Sequence, residues 1–198
     1  MKGIKVKKNL LVAMLVLVVM TVSFPLNSFA ASDDYYKELG FTKEEVEHAA
    51  EEAEMIRPYF TDNDGQISFD TDAARKNGVS EGLIKRTEAD LSQVNRYLNV
   101  STNSELAACN GLNYWGYPYL YLDSCTANKV AAALTAGASL STLIGLLPGG
   151  TPLAVTLAVL GGVGAAAISY ANSEGNGVKI LLALTGGGNF IPVWVRSQ

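Results

Sequence analysis

A ninety-residue stretch with almost no charge, Cys109 to Gln198, limits what this chain can fold into more than any other feature. Residues 31–108 instead carry seventeen acidic and eight basic side chains, a net charge of minus 9. The chain therefore has two parts that suit different surroundings, the acidic segment (residues 31–108) and the hydrophobic segment (Cys109–Gln198). The charged side chains of the hydrophobic segment are Asp123, Lys129, Glu174, Lys179 and Arg196.

The first thirty residues have the three parts of an export signal. A lysine-rich head precedes the apolar run Leu10–Phe24, and Ser28 and Ala30 are small residues at the positions that a signal peptidase reads. A retained anchor is the alternative, but fifteen helical residues rise only about 22 Å against roughly 30 Å of hydrocarbon. We predict a signal peptide over residues 1–30, cleavage between Ala30 and Ala31, and a secreted or cell-envelope protein.

The acidic segment is predicted to form a small helical unit over residues 31–98. Thr42 and Glu45 form a capping box, so a helix should begin at Lys43, and Pro58 should end it. Residues 99–108 are polar, without a period, and are interpreted as a linker or processing region. The other elements predicted here are a hairpin of Tyr59–Thr61 with Gln66–Asp70, a short helix over Asp72–Asn77 and a helix from Ser80 to Leu98.

Neither a metal nor a cofactor is expected. Asp62, Asp64 and Gly65 match the third, fifth and sixth positions of an EF-hand loop, but Phe60 and Thr71 would stand where its first and twelfth ligands belong. A plain turn is therefore favoured over a calcium site. The lone His48 has no second histidine or cysteine near it in sequence. A clustered basic stretch is also missing, so no nucleic-acid partner is expected.

The two cysteines, Cys109 and Cys125, are predicted to form one disulfide, as an isolated pair in an exported chain does most simply. The loop between them is rich in aromatic rings, which suit either the boundary between water and lipid or a protein interface. The alternation of tyrosine and leucine near Cys125 indicates a strand. The rings are those of Tyr114, Trp115, Tyr117, Tyr119 and Tyr121.

Two uncharged runs, Val130–Leu147 and Leu153–Ala171, predict a hydrophobic αα hairpin, because Pro148 to Pro152 cannot continue a helix. Each run is long enough to reach across a bilayer. Small residues recur every fourth position in both runs, a pattern that lets helices associate closely in lipid. They are Ala133, Gly137, Ser141 and Gly145 in the first run, and Ala154, Ala158, Gly162 and Ala166 in the second.

A buried helical pair in a water-soluble domain is the alternative to a membrane hairpin. The hydrophobic segment has little other mass to cover two such helices, and a helix that is apolar all round must be buried somewhere. This favours a lipid membrane or a homo-oligomer as the partner. An integral membrane hairpin retained by the producing cell is a third interpretation.

Two strands, Val178–Thr185 and Ile191–Val195, are predicted after the turn at Gly175-Asn176-Gly177, with Pro192 restricting the second to an edge. The expected fold class is α+β, mainly α. Its parts are a small helical N-terminal unit with a β-hairpin, a disulfide-closed aromatic loop, a hydrophobic αα hairpin and a C-terminal β-hairpin.

The order of these parts resembles that of secreted bacteriocin and killing-factor precursors of Gram-positive bacteria, with the sporulation-delay toxins nearest in layout. The resemblance covers the layout of the whole chain and no diagnostic motif. It implies an antimicrobial peptide that enters a target membrane after release from a pro-segment. A surface receptor or an immunity protein would then be a further partner.

Three functional hypotheses follow from the sequence. The first is the precursor of a membrane-active toxin, which inserts through its hydrophobic hairpin. The second is a binding, structural, immunity or holin-like protein at the cell surface, without enzymatic activity. An enzyme is not expected, because the hydrophobic segment contains no histidine, spare thiol or carboxylate pair to act as acid, base or nucleophile.

Overall fold

The computed structural model describes residues 36–37, 39–63, 66–101, 109–186 and 188–198. The signal peptide, with its cleavage site between Ala30 and Ala31, lies outside the described residues, as do residues 102–108 of the linker and Asp64 and Gly65 of the acidic turn. These predictions are not tested by the structure.

The described residues of the acidic segment form α-helices and a hairpin, as its patterns predict. The first helix begins with the expected capping box, in which the Thr42 hydroxyl accepts from the Glu45 N–H and the Glu45 carboxylate accepts from the Thr42 N–H at 2.8 Å. Pro58 lies in the 3₁₀ turn Arg57–Tyr59 that ends this helix. The elements are α1 (Lys43–Ile56), β1 (Phe60–Asn63), β2 (Gln66–Phe69), α2 (Thr71–Lys76) and α3 (Glu81–Ser101).

The described residues of the hydrophobic segment form one antiparallel sheet and four helices. Its elements are β3 (Tyr114–Gly116), β4 (Tyr119–Leu122), α4 (Ser124–Ala136), α5 (Leu140–Leu146), α6 (Leu153–Gly162), α7 (Gly164–Ala171), β5 (Val178–Leu184) and β6 (Phe190–Ser197). The strand order is β3-β4-β5-β6. Pro192 therefore stands on an edge strand, as predicted, while the pairing of β4 with β5 joins two hairpins that the sequence presented separately.

The two hydrophobic runs are each divided into two helices, and the expectation of one continuous helix per run is wrong. Gly137 ends α4 in the left-handed conformation, with φ of 67°. The second run bends by 93° between α6 and α7, at Val163. Among the described residues, no single helix has the length and hydrophobicity needed to cross a membrane. Only α6 and α7 taken together reach those values.

The main core lies between the inner face of the sheet and α4, α6 and α7. Strand residues alternate, so that Leu120, Leu122 and Ile180 are buried while their neighbours face outward. The buried Asn172, just after α7, links the start of α4 to the residue before β5. Its amide donates to the Ser124 carbonyl at 2.9 Å and accepts from the N–H of Gly177 at 3.0 Å.

The predicted fold class is confirmed. The molecule is α+β and mainly helical, with the Cys109–Cys125 disulfide, a hairpin in the acidic segment and a C-terminal hairpin. The division of the chain at residues 98 and 109 into functional parts stays a prediction.

Candidate functional site: the junction of the acidic and hydrophobic segments

The acidic segment covers the hydrophobic helices with its apolar faces. Leu91, Val94 and Leu98 of α3 pack in one buried cluster with Ala132, Ala133 and Leu143 of α4 and α5. Ala49 and Ala53 of α1 pack against Ile144 in another. Helix α4 therefore lies between the sheet and α3, and α5 packs on α1. This contact surface is the junction.

Helix α5 is capped at both ends by side chains of the acidic segment. At its N-terminus the Asp90 carboxylate accepts from the Ser139 N–H at 3.0 Å and from the Thr142 hydroxyl at 2.8 Å. At its C-terminus the Arg57 guanidinium donates to the Ile144 carbonyl at 3.0 Å. An anion at the N-terminus and a cation at the C-terminus both complement the helix dipole. The Ser139 side chain does not cap the N-terminus of α5, and Asp90 of the acidic segment acts as the cap instead.

Gly145 lies at a close contact across the junction. A Cβ atom placed on this glycine would lie 2.8 Å from the Cε2 atom of the Phe60 ring and 3.8 Å from Ile56. Lys129 of α4 adds an ion pair with Asp62 of β1, and the lysine side chain is only 14% exposed. Polar and close-packed contacts thus accompany the apolar ones, and they make the junction specific to this geometry.

A groove of about 460 Å³ runs along the edge of the junction, between α1, α3 and the start of α5. Glu52 lies on its floor and pairs with Arg86, with the His48 ring 3.6 Å away. The His48 side chain is 70% exposed, as predicted for a solvated histidine. The Ser139 hydroxyl at the end of the groove donates to Asp90 at 2.5 Å, so it serves the helix cap.

Asp62 lies against the disulfide. The Asp62 carboxylate and the sulfur atoms of Cys109 and Cys125 are all within 4.8 Å of one another. Because both sulfurs are joined in a disulfide, they are not thiolates and are not metal ligands in this state. Asp62 also pairs with Lys129, so its place in the structure is that of an ion-pair partner.

The aromatic residues of the disulfide loop divide between the two faces of the sheet. Tyr114 and Tyr121 stack on the outer face with ring centroids 4.8 Å apart, and Tyr119 lies beside them. Trp115 instead turns inward and packs edge-on against the buried Phe190. Tyr117, in the turn, is 62% exposed. The outer face thus presents aromatic rings to solvent.

The small residues predicted to pack two helices together lie in different environments. Gly137 ends a helix, and Ser141 and Ala158 are buried. Gly145 faces the acidic segment, whereas Gly162 receives Pro192 of β6, whose Cγ atom would lie 2.5 Å from an added Cβ. Ala166 is exposed on α7. The stripes therefore do not face each other in this structure, and their role in a membrane stays a prediction.

Sequence reasoning missed the residues that join the two segments. Asp90, Arg57 and Lys129 look like ordinary surface charges when only their neighbours in sequence are considered. One local signal was available, because Gly137 followed by Ser139 is the usual order of a helix stop and a new N-cap. That pattern would have predicted α5 as a separate helix whose N-terminus needs a partner.

No family model matches this chain, no curated protein is significantly similar to it, and no solved structure significantly matches its fold.

Proposed function

We propose that this chain is an exported, membrane-active protein of the bacteriocin or toxin kind, in which the acidic segment keeps the hydrophobic helices folded in water until the two are separated. The observation that carries this proposal is the capping of α5 at both ends by Asp90 and Arg57. A helix whose end groups are satisfied by another segment loses those partners when that segment leaves.

Separation would also uncover apolar surface. Leu143 and Ile144 of α5, with Ala132 and Ala133 of α4, are buried against α1 and α3. A contiguous apolar patch of this kind is unfavourable in water and seeks lipid or another copy of itself. The hydrophobic segment carries only five charged residues in ninety, so few side chains oppose its transfer into a membrane.

The connection between the two segments is the place where cleavage would separate them. Residues 102–108 join the end of α3 to Cys109 in sequence, and cleavage there leaves both cysteines in the hydrophobic segment. The disulfide would then keep Cys109 beside the start of α4 after release. Export through the segment of residues 1–30 belongs to the same proposal.

The test is dye release from lipid vesicles before and after cleavage. A protease recognition sequence is placed within residues 102–108 of a chain that begins at Ala31. We expect intact vesicles with the uncleaved chain and dye release at micromolar concentration after cleavage. The double variant Arg57→Gln/Asp90→Asn should release dye faster after cleavage, because the acidic segment dissociates more readily when both caps are lost.

A matched control makes the same charge change at positions outside the junction. Glu51→Gln/Lys85→Gln removes one carboxylate and one cation from exposed positions on α1 and α3, and it should behave like the unmodified cleavable chain. The proposal is wrong if the purified fragment of residues 109–198 stays monomeric without detergent and leaves vesicles intact.

A second candidate function is a binding module at the cell envelope. The exposed rings on the outer face of the sheet favour it, since aromatic residues are good at burying a protein interface. Cell fractionation separates the two candidates. Uncleaved protein that stays with the envelope of the producing cell favours the binding module, whereas a processed form in the medium favours the toxin.

A further inference from the structure

The outer face of the four-stranded sheet carries two cations set among aromatic rings. Lys179 on β5 and Arg196 on β6 are paired across the two strands. The Lys179 Nζ atom lies 3.9 Å from the centroid of the Tyr119 ring and 5.2 Å from that of Tyr121. Arg196 lies over the Trp194 ring at 4.9 Å. With Tyr114, these residues form what we call the cationic aromatic face.

This face has no negative charge of its own. The four strands contain no aspartate or glutamate. Within the part of the chain that the structure describes, neither Lys179 nor Arg196 is in an ion pair, whereas Lys129, the other cation of the hydrophobic segment, is bound to Asp62. The stacked rings hold the two cations at the surface without neutralising them.

We propose that the folded, uncleaved chain docks on an anionic lipid bilayer through the cationic aromatic face. Lys179 and Arg196 would bind the phosphate groups of the lipid headgroups, and Trp194 and the tyrosines would lie at headgroup depth, where such rings are favoured. Arginine forms bidentate hydrogen bonds with phosphate oxygens, which suits its exposed position on the edge strand.

Charge complementarity favours lipid over a second copy of the chain. Two such faces brought together would place four cations opposite one another with no carboxylate between them, an arrangement that repels. An anionic bilayer instead supplies a dense array of negative groups. From Ala31 onward the chain has eleven basic and nineteen acidic residues, a net charge of minus 8, so attraction to such a bilayer must come from a local patch.

This inference does not depend on release of the hydrophobic helices. They pack on the opposite, inner face of the sheet, so docking needs no change in the junction. Docking of the intact chain and dye release by the cleaved chain are separate measurements, so either proposal can fail while the other holds.

The test is co-sedimentation of the intact chain, beginning at Ala31, with vesicles of two compositions. The chain starts there because residues 10–24 would bind lipid by themselves. We expect binding to phosphatidylcholine vesicles that contain phosphatidylglycerol, weaker binding as salt is raised, and little binding to phosphatidylcholine alone. Lys179→Gln/Arg196→Gln should weaken binding about 30-fold at low salt, because each cation near an anionic surface contributes about 1 kcal/mol.

Two matched controls separate the face from the rest of the surface. Lys76→Gln/Lys85→Gln makes the same charge change on α2 and α3 and should bind as the unmodified chain does. Tyr114→Ser should weaken binding, while Tyr97→Ser, at a similarly exposed tyrosine of α3, should not; the two rings are 45% and 43% exposed. Circular dichroism verifies that each variant is folded.

Three results would overturn the proposal. One is equal binding to the charged and uncharged vesicles, and another is an equal loss of binding in the Lys76→Gln/Lys85→Gln control. The third is a dimer, detected by light scattering, that Lys179→Gln/Arg196→Gln disrupts, since this would assign the face to a second copy.

Discussion

At the scale of single residues, a few polar side chains determine how the two halves of the chain meet. Asp90 accepts hydrogen bonds from a backbone N–H and two hydroxyl groups at the start of α5, and Arg57 binds carbonyl groups at its end. Removing one partner of such a part-buried bond leaves the other unsatisfied, which costs about 1–3 kcal/mol. The junction therefore depends on individual residues as well as on apolar contact.

Glu45 should contribute to stability in a pH-dependent way. The hydrogen bond that the Glu45 carboxylate accepts from the Thr42 N–H holds the pKa of this carboxyl below its usual value, and the bond from the Thr42 hydroxyl adds a smaller effect in the same direction. A group with a lower pKa in the folded state stabilises the fold above its unfolded pKa, and this contribution is lost as pH falls through the folded pKa. Glu45→Gln should reduce the loss of stability on acidification, measured by urea unfolding at a series of acidic pH values.

Thr42→Ala provides the comparison for this prediction. It removes the hydroxyl but keeps the backbone N–H that binds Glu45, so it should lower stability at every pH and retain part of the acid dependence. An unchanged acid dependence in Glu45→Gln would contradict the role assigned to the capping box.

The interactions that the sequence could predict are those between residues close together in the chain. The two residues of the capping box are three positions apart, and it was visible because Thr42 and Glu45 stand at the required spacing. Asp90 and Ser139 are 49 positions apart, and no spacing rule connects them. The disulfide was an exception among long-range contacts, because only one pairing of the two cysteines exists within the chain.

At the scale of secondary structure, glycine and proline set the lengths of the hydrophobic helices. Gly137 has a positive φ, and the N–H groups of Gly137 and Ala138 bind the last carbonyls of α4. This is a helix-ending arrangement that glycine adopts at little cost. The four-residue period of small side chains continues through this break, so the period does not indicate where the helix ends.

Gly137→Ala should destabilise the fold by about 1 kcal/mol, because an L residue is strained at this φ although the space around the Cβ is open. Gly149→Ala is the matched change, since that position is also open and its φ is not in the left-handed region. Thermal unfolding of both variants measures the difference. Equal melting temperatures would show that α4 does not need a left-handed residue at its end.

Most elements could be predicted because their signals are local. The period of α3, the alternation in β4 and the edge position of β6 all follow from residue spacing or from Pro192. The pairing of β4 with β5 could not be predicted in the same way. Tyr119 and Leu181 are neighbours in the sheet, but the whole of α4 to α7 lies between them in sequence.

At the scale of the whole molecule, two parts of opposite composition share buried clusters. Leu91 from the acidic segment and Ala133 from the hydrophobic segment belong to the same cluster. Composition alone suggested two separate domains, because it indicates which solvent a segment prefers and not which other segments it contacts. The apolar faces of α1 and α3 were the feature that could have been matched with the hydrophobic runs.

Leu91→Ala should therefore destabilise both segments together. Loss of a buried leucine side chain costs about 2–5 kcal/mol, and Leu91 is only 4% exposed. We expect near-ultraviolet circular dichroism, which reports the aromatic rings of the sheet, and far-ultraviolet circular dichroism to show one transition at a lower temperature. An aromatic transition that stays at its original temperature would mean that the sheet folds independently of α3.

The pairing of Leu122 with Val178 has a geometric consequence for the helices between them. The path from Ser124 to Ala171 leaves the sheet and returns to the adjacent strand, and Asn172 bonds its two ends together. As long as β4 and β5 remain paired, both ends of this helical segment stay at the same place on the sheet. It could therefore enter a bilayer only as a closed loop that turns back, with its entrance and its exit on the same side.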